Sequence, residues 1–288
     1  MSSMPPPSDE PILPPFATPT TRHEATILLA ERPELYVVNG GTDAMVGVND
    51  GRTNVAGWLS LRRVAELGRI VADEHSLVLG AGITFAEIEA LLADSVPSLA
   101  AAARTVGSPQ IRRAGTLGGN LATASPAADA VPPLLCCDAH VELASCDGVR
   151  RVPLEEFATG PKRTVRRPDE LITAVHLHAL GGFDAFAKVG TRNAMVISVC
   201  SIAARLDPAS GVARVAIGSA APTVRRVHDA EPALLDPGAA DAFAAEVVRG
   251  ASPIDDARAS ATYRRHALGV LARRTHARLW RTAGEVAA

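Results

Sequence analysis

The stretch that decides the fold covers residues 105–129 and reads TVGSPQIRRAGTLGGNLATASPAAD. It combines a glycine-rich turn, a run of small hydroxyl side chains and a carboxylate within one short span. Because glycines tolerate positive φ and allow close backbone approach, we expect the N–H groups around Thr116 and Leu117 to converge on an anion as a concave nest. This composition predicts a site for a phosphorylated ligand. The glycines concerned are Gly115, Gly118 and Gly119.

A similar loop comes earlier in the chain. After an apolar run, residues 39–43 read NGGTD and offer two adjacent glycines and the hydroxyl donor Thr42. We call residues 39–43 the first glycine loop and residues 115–120, GTLGGN, the second glycine loop. Each pattern alone is also typical of an ordinary turn. Their joint occurrence favours ligand binding, because two such loops could hold one pyrophosphate from opposite sides.

The two loops resemble those of the FAD-binding medium subunits of molybdenum hydroxylases, the family of bacterial xanthine dehydrogenase, carbon monoxide dehydrogenase and related aldehyde oxidoreductases. In that family an (A/N)GGT(D/H) loop precedes a G(T/S)(I/L)GGN loop, as the two loops do here. The resemblance extends over residues 14–281. Three further segments are similar: FAKVG at 186–190, SAAP at 219–222 and YRRH at 263–266.

The resemblance implies an α+β fold. Two subdomains of the p-cresol methylhydroxylase/vanillyl-alcohol oxidase type would enclose FAD, and a C-terminal α+β domain of the CO dehydrogenase flavoprotein type would follow. No GxGxxG fingerprint follows a first strand, which disfavours a Rossmann domain. The predicted division is a disordered proline-rich lead-in at 1–13, an FAD-binding domain at 14–180 with subdomains at about 14–66 and 67–180, and a C-terminal domain at 181–288.

Local patterns predict the elements. Capping boxes at Thr21 and Thr84 each start a helix, and in the second helix Ile88, Leu91 and Leu92 are expected to face the core. Leu35 to Val38 is expected to be a short buried strand, and residues 150–167 an irregular exposed connection. Further strands are predicted at 55–61, 76–82, 140–144, 170–177, 183–189, 196–206 and 212–219, and further helices at 97–104, 239–249 and 262–280.

The resemblance also implies which residues contact the adenosine diphosphate half of FAD. One wall would be formed mostly by backbone N–H groups, with an added hydroxyl from Thr42. The opposite wall would come from the second glycine loop. The residues of the first wall are Val37, Asn39, Gly40, Gly41, Thr42 and Ala44, and those of the second are Thr116, Gly118, Gly119 and Asn120.

At the flavin or ribityl end the resemblance implies contacts from Thr123, Ser125 and Asp129. An Asp after small residues is also often a helix cap. Lys188 would place a cation near the pyrimidine edge of the flavin. The alternative interpretation is that Lys188 is an ordinary solvated lysine on a strand. Leu171 and Ile172 align with residues that cover the flavin or adenine, although such strand residues are usually core.

The loop after Lys188 leaves one feature of the flavin site open. Some relatives place a tyrosine over the flavin from this loop, and some use the region of Arg192 near the flavin and the NAD entrance. Residues 191–194 read TRNA and offer no tyrosine. The resemblance therefore does not say what shields this flavin.

Composition excludes several classes of function. The 288 residues carry a formal net charge of −2, which gives no electrostatic case for nucleic acid or an anionic membrane. No apolar run is long enough for a membrane span, and the N-terminus lacks the pattern of a secretory signal. We therefore expect a soluble, cytoplasmic protein.

Cysteine and histidine spacing predicts no metal site in this chain. The four cysteines form no CxxC pair and are expected to be buried free thiols. The eight histidines are scattered without ligand spacing, and no Ser/His/Asp or Cys/His arrangement indicates a catalytic residue. The chemistry is expected to reside in FAD. The cysteines are Cys136, Cys137, Cys146 and Cys200, and the histidines are His23, His75, His140, His176, His178, His228, His266 and His276.

The resemblance implies an electron-transfer subunit within a hetero-oligomer, for example a dimer of heterotrimers. A large subunit would bind molybdopterin and oxidise the substrate, a small subunit would carry [2Fe-2S] clusters, and FAD would pass the electrons to NAD. The segment KVGTRNAM, at 188–195, looks most like bacterial xanthine dehydrogenases. Flavin subunits of CO, aldehyde, nicotine or other N-heterocycle dehydrogenases stay open as alternatives, as do oxygen or a quinone as acceptor.

Two readings of other classes also remain. A standalone FAD oxidoreductase, resembling the reductases of cell-wall precursor synthesis, would need its own substrate pocket with a general acid, and no such motif is found. A non-catalytic nucleotide-binding or scaffolding protein would use the glycine loops without redox chemistry.

Overall fold

The computed structural model describes residues 15–73, 76–178 and 180–287. The lead-in predicted for residues 1–13 and the scattered histidine His75 lie outside these ranges. Within them the chain forms three main sheets and a small two-stranded sheet, combined with helices, which confirms the α+β class. None of the helices in the described part of the chain has the length and apolar composition that crossing a membrane requires.

The first sheet has three parallel strands in the order β1-β3-β2. Thr21 caps α1 by accepting from the N–H of Glu24 at 3.1 Å, but the Glu24 carboxylate accepts from the Thr20 N–H instead of closing the predicted box. The elements are β1 (Phe16–Ala17), α1 (Arg22–Glu31), β2 (Tyr36–Val38), α2 (Ala44–Asn49) and β3 (Trp58–Ser60).

The strand predicted to be buried at Leu35 to Val38 is instead an edge strand. Only Leu35 is buried, and the residues of β2 are exposed or half-buried. The reason is the sheet order, because β2 pairs with β3 on one side and has no strand on the other. Its outer edge therefore stays open.

The second sheet has five antiparallel strands in the order β4-β5-β10-β6-β7. Its central strand, β10, confirms the strand predicted at 170–177 and is buried at every position, including the polar Thr173 and His176. The strands are β4 (Ile70–Ala72), β5 (Leu77–Gly80), β6 (His140–Ser145), β7 (Gly148–Pro153) and β10 (Leu171–Leu177).

The connection at 150–167 is largely exposed, as predicted, but the prediction that it is irregular was wrong. The segment holds most of β7, the short helix α8 (Leu154–Phe157) and the two-stranded sheet of β8 (Ala158–Gly160) and β9 (Arg163–Thr164). The segment is rich in arginine. Yet Leu154 and Phe157 are buried and draw the segment onto the core.

Helices pack between the second and third sheets. The capping box at Thr84 is confirmed, because its side chain accepts from the Glu87 N–H at 3.2 Å and its own N–H donates to the Glu87 carboxylate at 2.8 Å. Ile88 and Leu92 are buried as predicted, but Leu91 is 62% exposed. Leu91 lies about 100° from Leu92 around the helix, on the side that does not pack on the core. The helices are α3 (Phe85–Leu91), α4 (Pro97–Arg104), α5 (Pro109–Ala114), α6 (Leu117–Thr123) and α7 (Val131–Cys136).

The third sheet has four antiparallel strands in the order β11-β12-β13-β14. Helices α10 and α11 cover one face, and α4 and α7 pack on the other. The predicted elements are confirmed, except that β12 begins at Cys200 because residues 190–199 form a loop. The elements are β11 (Phe183–Val189), β12 (Cys200–Asp207), β13 (Val212–Gly218), β14 (Arg225–Arg226), α9 (Glu231–Leu234), α10 (Ala240–Arg249) and α11 (Ala261–Ala287).

A buried ion pair fixes α4 against the third sheet. The Arg205 guanidinium lies 2.7 Å from the Asp184 carboxylate, and each side chain is 2% exposed. Ser98, at the start of α4, donates from its hydroxyl and its N–H to the same carboxylate, at 2.8 and 3.0 Å. The two halves of the chain are therefore in direct contact.

Candidate cofactor site

The first glycine loop connects the open edge strand β2 to α2. Gly41 has φ +70°, which favours glycine, as the sequence analysis expects of such a loop. Gly40 has no room for a side chain, because a Cβ there would lie 1.8 Å from the carbonyl oxygen of Ala114. This loop therefore presses its backbone against the end of α5, directly before the second glycine loop.

The first glycine loop keeps its hydrogen-bond donors free. Among the residues that the structure describes, none accepts a hydrogen bond from the N–H groups of Gly40, Gly41 and Thr42. The Thr42 hydroxyl likewise has no partner there. Free backbone N–H groups and a free hydroxyl are suitable donors for a phosphate group.

The nest predicted in the second glycine loop does not form. Gly115 has φ −66°, while Gly118 and Gly119 lie inside α6 without positive φ. The N–H groups of Leu117 and Gly118 donate to the carbonyls of Ile83 and Ala81, at 2.9 and 2.7 Å, and that of Gly119 donates to the Thr116 hydroxyl at 3.2 Å. These donors are used by the protein itself and cannot hold an anion.

Glycine at position 118 serves packing rather than backbone freedom. A Cβ there would lie 2.7 Å from the Cβ of Ala81 and 2.8 Å from its carbonyl oxygen. The start of α6 is thus packed directly on the end of β5. No local pattern indicates this neighbour, because Ala81 lies 37 positions before Gly118 in the chain.

The second loop and the rest of α6 offer side chains instead. The Asn120 Oδ1 is buried and has no hydrogen-bond partner in the described structure. The Thr123 hydroxyl lies 3.1 Å from the carboxylate of Asp43 and 3.0 Å from the carbonyl of Gly119. This contact, together with that between Gly40 and Ala114, brings the two glycine loops together at one place.

A second cluster lies where the segment after α6 meets the third sheet. The Asp129 carboxylate accepts from the Lys188 ammonium at 2.7 Å and from the Ser198 hydroxyl. The same ammonium donates to the carbonyls of Thr105 and Val196, each at 3.2 Å. We call Asp129, Lys188 and Ser198 the Asp129 cluster.

The side chains of the Asp129 cluster are buried, and Asp129 forms an ion pair with Lys188. Burial raises the pKa of Asp129, although Lys188 and Ser198 both act to lower it. Lys188 is not the solvated strand lysine of the alternative reading, because its side chain is 11% exposed. The sequence predicted neither Ser198 as a member of the cluster nor the carbonyl of Thr105 as a partner of Lys188, because no local pattern marks either of them.

Comparison with known proteins decides the family. A family model described as the FAD binding domain in molybdopterin dehydrogenase matches residues 13–178, and one described as the CO dehydrogenase flavoprotein C-terminal domain matches residues 185–279. The chain belongs to the FAD-binding family of molybdopterin dehydrogenases. It is thus the FAD subunit of an oxidoreductase of the molybdenum hydroxylase family.

Individual relatives agree with this assignment. The putative xanthine dehydrogenase FAD-binding subunit of Escherichia coli (strain K12) is 32% identical over 270 residues, which is 88% of this chain and 91% of that protein. The nicotinate dehydrogenase FAD-subunit of Eubacterium barkeri is 34% identical over 205 residues, covering 67% and 69%.

Solved structures of the family share the fold. A chain of the carbon monoxide dehydrogenase from Hydrogenophaga pseudoflava has a TM-score of 0.87 at 24% identity, over 96% of this chain and 99% of that one. A chain of the quinoline 2-oxidoreductase from Pseudomonas putida 86 has a TM-score of 0.88 at 24% identity, over 94% and 98%. At this identity they support the architecture only.

The residues of the FAD subunit fit the cofactor. The free N–H groups of the first glycine loop can hold phosphate oxygens, and the unpartnered Asn120 Oδ1 can accept from a hydroxyl or amino group of the ligand. Thr116 is buried and caps α6, while the Ser125 hydroxyl accepts from the Ala127 N–H at 3.2 Å.

Four further residues that the resemblance implied lie outside the two glycine loops. Leu171 and Ile172 lie in β10 and are buried in two different apolar clusters. Val37 belongs to the open edge of β2, and Ala44 begins α2. Contact of these four with FAD stays a prediction.

The cysteines of the FAD subunit are free thiols. Cys136, Cys137 and Cys200 are buried as predicted, and burial raises the pKa of the latter two to about 11. Cys146 is exposed, contrary to expectation, because it lies in the tight turn between β6 and β7. Across the described ranges no group of His, Cys, Asp and Glu side chains is placed to hold a metal ion.

Proposed function

We propose that this chain passes electrons from the [2Fe-2S] clusters of a small partner subunit through its FAD to NAD. In this proposal a large partner subunit binds molybdopterin and oxidises xanthine or hypoxanthine. The observation that carries the proposal is the meeting of the two glycine loops at one place, with free donors on the first loop, in a chain of the FAD-binding family. The named relative from Escherichia coli supports xanthine as the substrate.

Two walls of this chain's own residues would hold FAD between them. The first wall would consist of Val37, Asn39, Gly40, Gly41, Thr42 and Ala44, with the N–H groups of its glycines on the pyrophosphate. The second wall would line the opposite side of the site and offer the Asn120 Oδ1 as a hydrogen-bond acceptor. Its residues are Thr116, Gly118, Gly119 and Asn120. FAD, when bound, supplies exchange between one-electron and two-electron carriers.

At the flavin end we propose Thr123, Ser125, Asp129 and Lys188 as neighbours of the cofactor, with Leu171 and Ile172 as apolar support. Because the three N–H groups of Lys188 are donated to Asp129, Thr105 and Val196, the cluster would offer the flavin the acceptor oxygens of Asp129 rather than a free ammonium. Its burial keeps water from competing for these groups.

The domain division and the assembly belong to the same proposal. We assign residues 14–180 to the FAD-binding domain and 181–288 to the C-terminal domain, in line with the two matching family models. The working enzyme would be a hetero-oligomer of the three kinds of subunit in the cytoplasm, such as a dimer of heterotrimers.

A second candidate is a flavin subunit for another substrate. The similarity to a nicotinate dehydrogenase FAD-subunit favours an N-heterocycle as the alternative. Because the large subunit would select the substrate, the FAD subunit's residues do not discriminate between the two candidates.

The test is made on the assembly purified from its own host with a gentle affinity tag. A native mass spectrum is expected to show this chain with one FAD and with a larger and a smaller partner. Removing FAD should abolish NAD reduction by xanthine while xanthine still reduces the molybdenum and iron–sulfur centres, and restoring FAD should restore NAD reduction. Full NADH production without flavin, or a chain without partners, would contradict the proposal.

A further inference from the structure

The two faces of the first sheet differ in what covers them. Ala17, Leu59 and Val37 are aligned across its three strands and pack into the apolar cluster that includes α1. Successive residues of a strand point to opposite faces, so the residues one position earlier point to the other side. We call these three aligned residues the aromatic row. They are Phe16, Trp58 and Tyr36.

The aromatic row is open to solvent. Phe16 is 62% exposed and Tyr36 is 38% exposed, while Trp58 between them is half-buried. The rings of Tyr36 and Trp58 meet edge to face, with their centroids 5.6 Å apart. Within the described ranges, neither the Tyr36 hydroxyl nor the Trp58 indole N–H has a hydrogen-bond partner. The row therefore combines an apolar surface with two free polar groups.

Parallel sheets normally have both faces covered. Here α1 covers one face, with Ala25 and Leu29 in the same cluster as Leu59. None of the six residues of α2, the helix between β2 and β3, is buried, so this helix does not seal the other face. A contiguous group of exposed apolar side chains marks an interaction surface, and Tyr and Trp are the usual anchors of such surfaces.

The size of the aromatic row argues against a dimer of two copies of this chain held by the row. A stable interface buries about 800 Å² on each partner. A fully buried aromatic side chain contributes about 200 Å², so three of them fall short of that area. In an assembly whose other contacts already hold the subunits together, a small additional contact is enough, because it forms within the complex.

The charges next to the row in the sequence are already paired. Arg32 and Glu34, the last charged residues before β2, form an ion pair at 3.2 Å. Arg52 and Asp50, the last charged residues before β3, form another. A charged partner surface would lose its hydration against the row without gaining an opposite charge. The row therefore fits an uncharged, apolar surface.

We propose that the aromatic row is a docking surface for an uncharged, apolar surface of the large partner subunit. The inference rests on the proposed function, because it needs that subunit. The small subunit has to reach the flavin end to deliver electrons. Tyr36 lies instead on β2, about 10 Å before the loop that we place on the pyrophosphate. This position favours the large subunit.

The experiment compares two double variants of the FAD-loaded assembly, each purified from its own host with the same tag. In Phe16→Ser/Tyr36→Ser, the dissociation constant of the large subunit is expected to rise about tenfold, as for the loss of an interface anchor. Native mass spectra of a dilution series measure it. The content of one FAD per chain should persist, because both side chains lie on the face opposite the core.

The matched control is Val71→Ser/Leu91→Ser, which removes two apolar side chains of similar exposure, 59% and 62%, from other parts of the surface. Its dissociation constant should equal that of the wild type. A wild-type value in Phe16→Ser/Tyr36→Ser, with one FAD per chain, would overturn the inference and leave the proposed function intact. A wild-type chain that carries FAD but no partner would overturn both.

Photocrosslinking identifies the partner directly, and it decides the question if the double variant fails to fold. With benzoylphenylalanine in place of Phe16 in the assembly, illumination is expected to join this chain to the large subunit. Benzoylphenylalanine in place of Val71 should give no such product. Crosslinks from position 16 to the small subunit, to a second copy of this chain or to its own residues 1–14, or no crosslink at all, would overturn the inference.

Discussion

The two glycine loops look alike in the sequence but are used in opposite ways. In the first loop the backbone donors of Gly40 and Gly41 are free, and the positive φ at Gly41 makes the turn possible. In the second loop the donors are taken by the end of β5, and Gly118 is needed because Ala81 lies against it. One loop provides binding groups, and the other provides the packing that holds a helix beside them.

The difference follows from the neighbours of each loop. The first loop follows an edge strand, and within the described ranges no group accepts a hydrogen bond from its glycine N–H groups, although the end of α5 lies beside it. The second loop enters α6, and the first N–H groups of that helix have no partner within the helix itself. The adjacent carbonyls of Ala81 and Ile83 satisfy them. The same glycine pair therefore acquires its function from its place in the sheet.

The largest expected effect comes from Gly40→Ala, which tests the contact between the loops. The added Cβ would meet the Ala114 carbonyl at 1.8 Å, so the loops must separate. We expect a loss of about 3 kcal/mol of stability, with FAD lost from the purified protein. Thermal denaturation and the flavin content measure both effects.

Gly68→Ala is the control for this change, because a Cβ at Gly68 meets no atom within 4 Å and its φ is not positive. It should leave both measurements close to those of the wild type. Full flavin content and normal stability in Gly40→Ala would show that the loops do not press against each other.

A comparison of Gly118→Ala with Gly119→Ala distinguishes packing from anion binding in the second loop. Because the added Cβ would clash with Ala81, Gly118→Ala should lower the free energy of unfolding of the FAD-free protein by about 2 kcal/mol. At Gly119 the nearest atom is the Thr116 hydroxyl at 3.1 Å, and alanine's better helix propensity, about 1 kcal/mol, offsets that contact. Urea unfolding without FAD measures both.

If Gly118→Ala lowered only FAD affinity and left the FAD-free protein unchanged, the second loop would be a phosphate site after all. The packing explanation would then fail, and the two loops would be equivalent.

The sequence predicted the elements well where a local signal exists. The helix that begins after Thr84 follows from its capping box, and the strand β10 follows from its cluster of apolar residues. The exposed strand β2 was mispredicted because an apolar run does not say whether a strand lies at the edge or the centre of its sheet. The order of strands in a sheet depends on pairing between segments that are distant in the sequence.

The site was predictable in its parts but not in their use. The identity of the two loops and the presence of Asp129 and Lys188 followed from motifs that resemble the family. The partners of those residues did not, because Ser198 and the carbonyls of Ala81 and Ile83 lie far from them in the sequence. The local composition records which groups are available, and only the fold determines which of them the protein satisfies itself.

Asn120→Ala tests whether the second loop contributes a side chain to the ligand. The buried Oδ1 has no partner without FAD, so its removal should raise the stability of the FAD-free protein by about 1 kcal/mol. FAD affinity should fall about fivefold, as expected for one lost hydrogen bond. Unfolding and FAD titration of the same variant give the two values.

The exposed Asn54 provides the comparison. Asn54→Ala should change neither value. A decrease in the stability of FAD-free Asn120→Ala would mean that the side chain already has a structural role, and the contrast with the first loop would weaken.

The smallest effects are expected from two threonine substitutions that should act in opposite ways. Thr42→Val removes a hydroxyl without a protein partner, so FAD affinity should fall about fivefold while FAD-free stability stays within about 0.5 kcal/mol of the wild type. Thr116→Val removes the cap of α6, which accepts from the Gly119 N–H, and should cost about 1 kcal/mol of FAD-free stability. Similar losses of affinity and stability in both variants would show that the loops share one role. Opposite losses would show that the free donors of the first loop hold the cofactor and that the second loop holds the protein in shape to receive it.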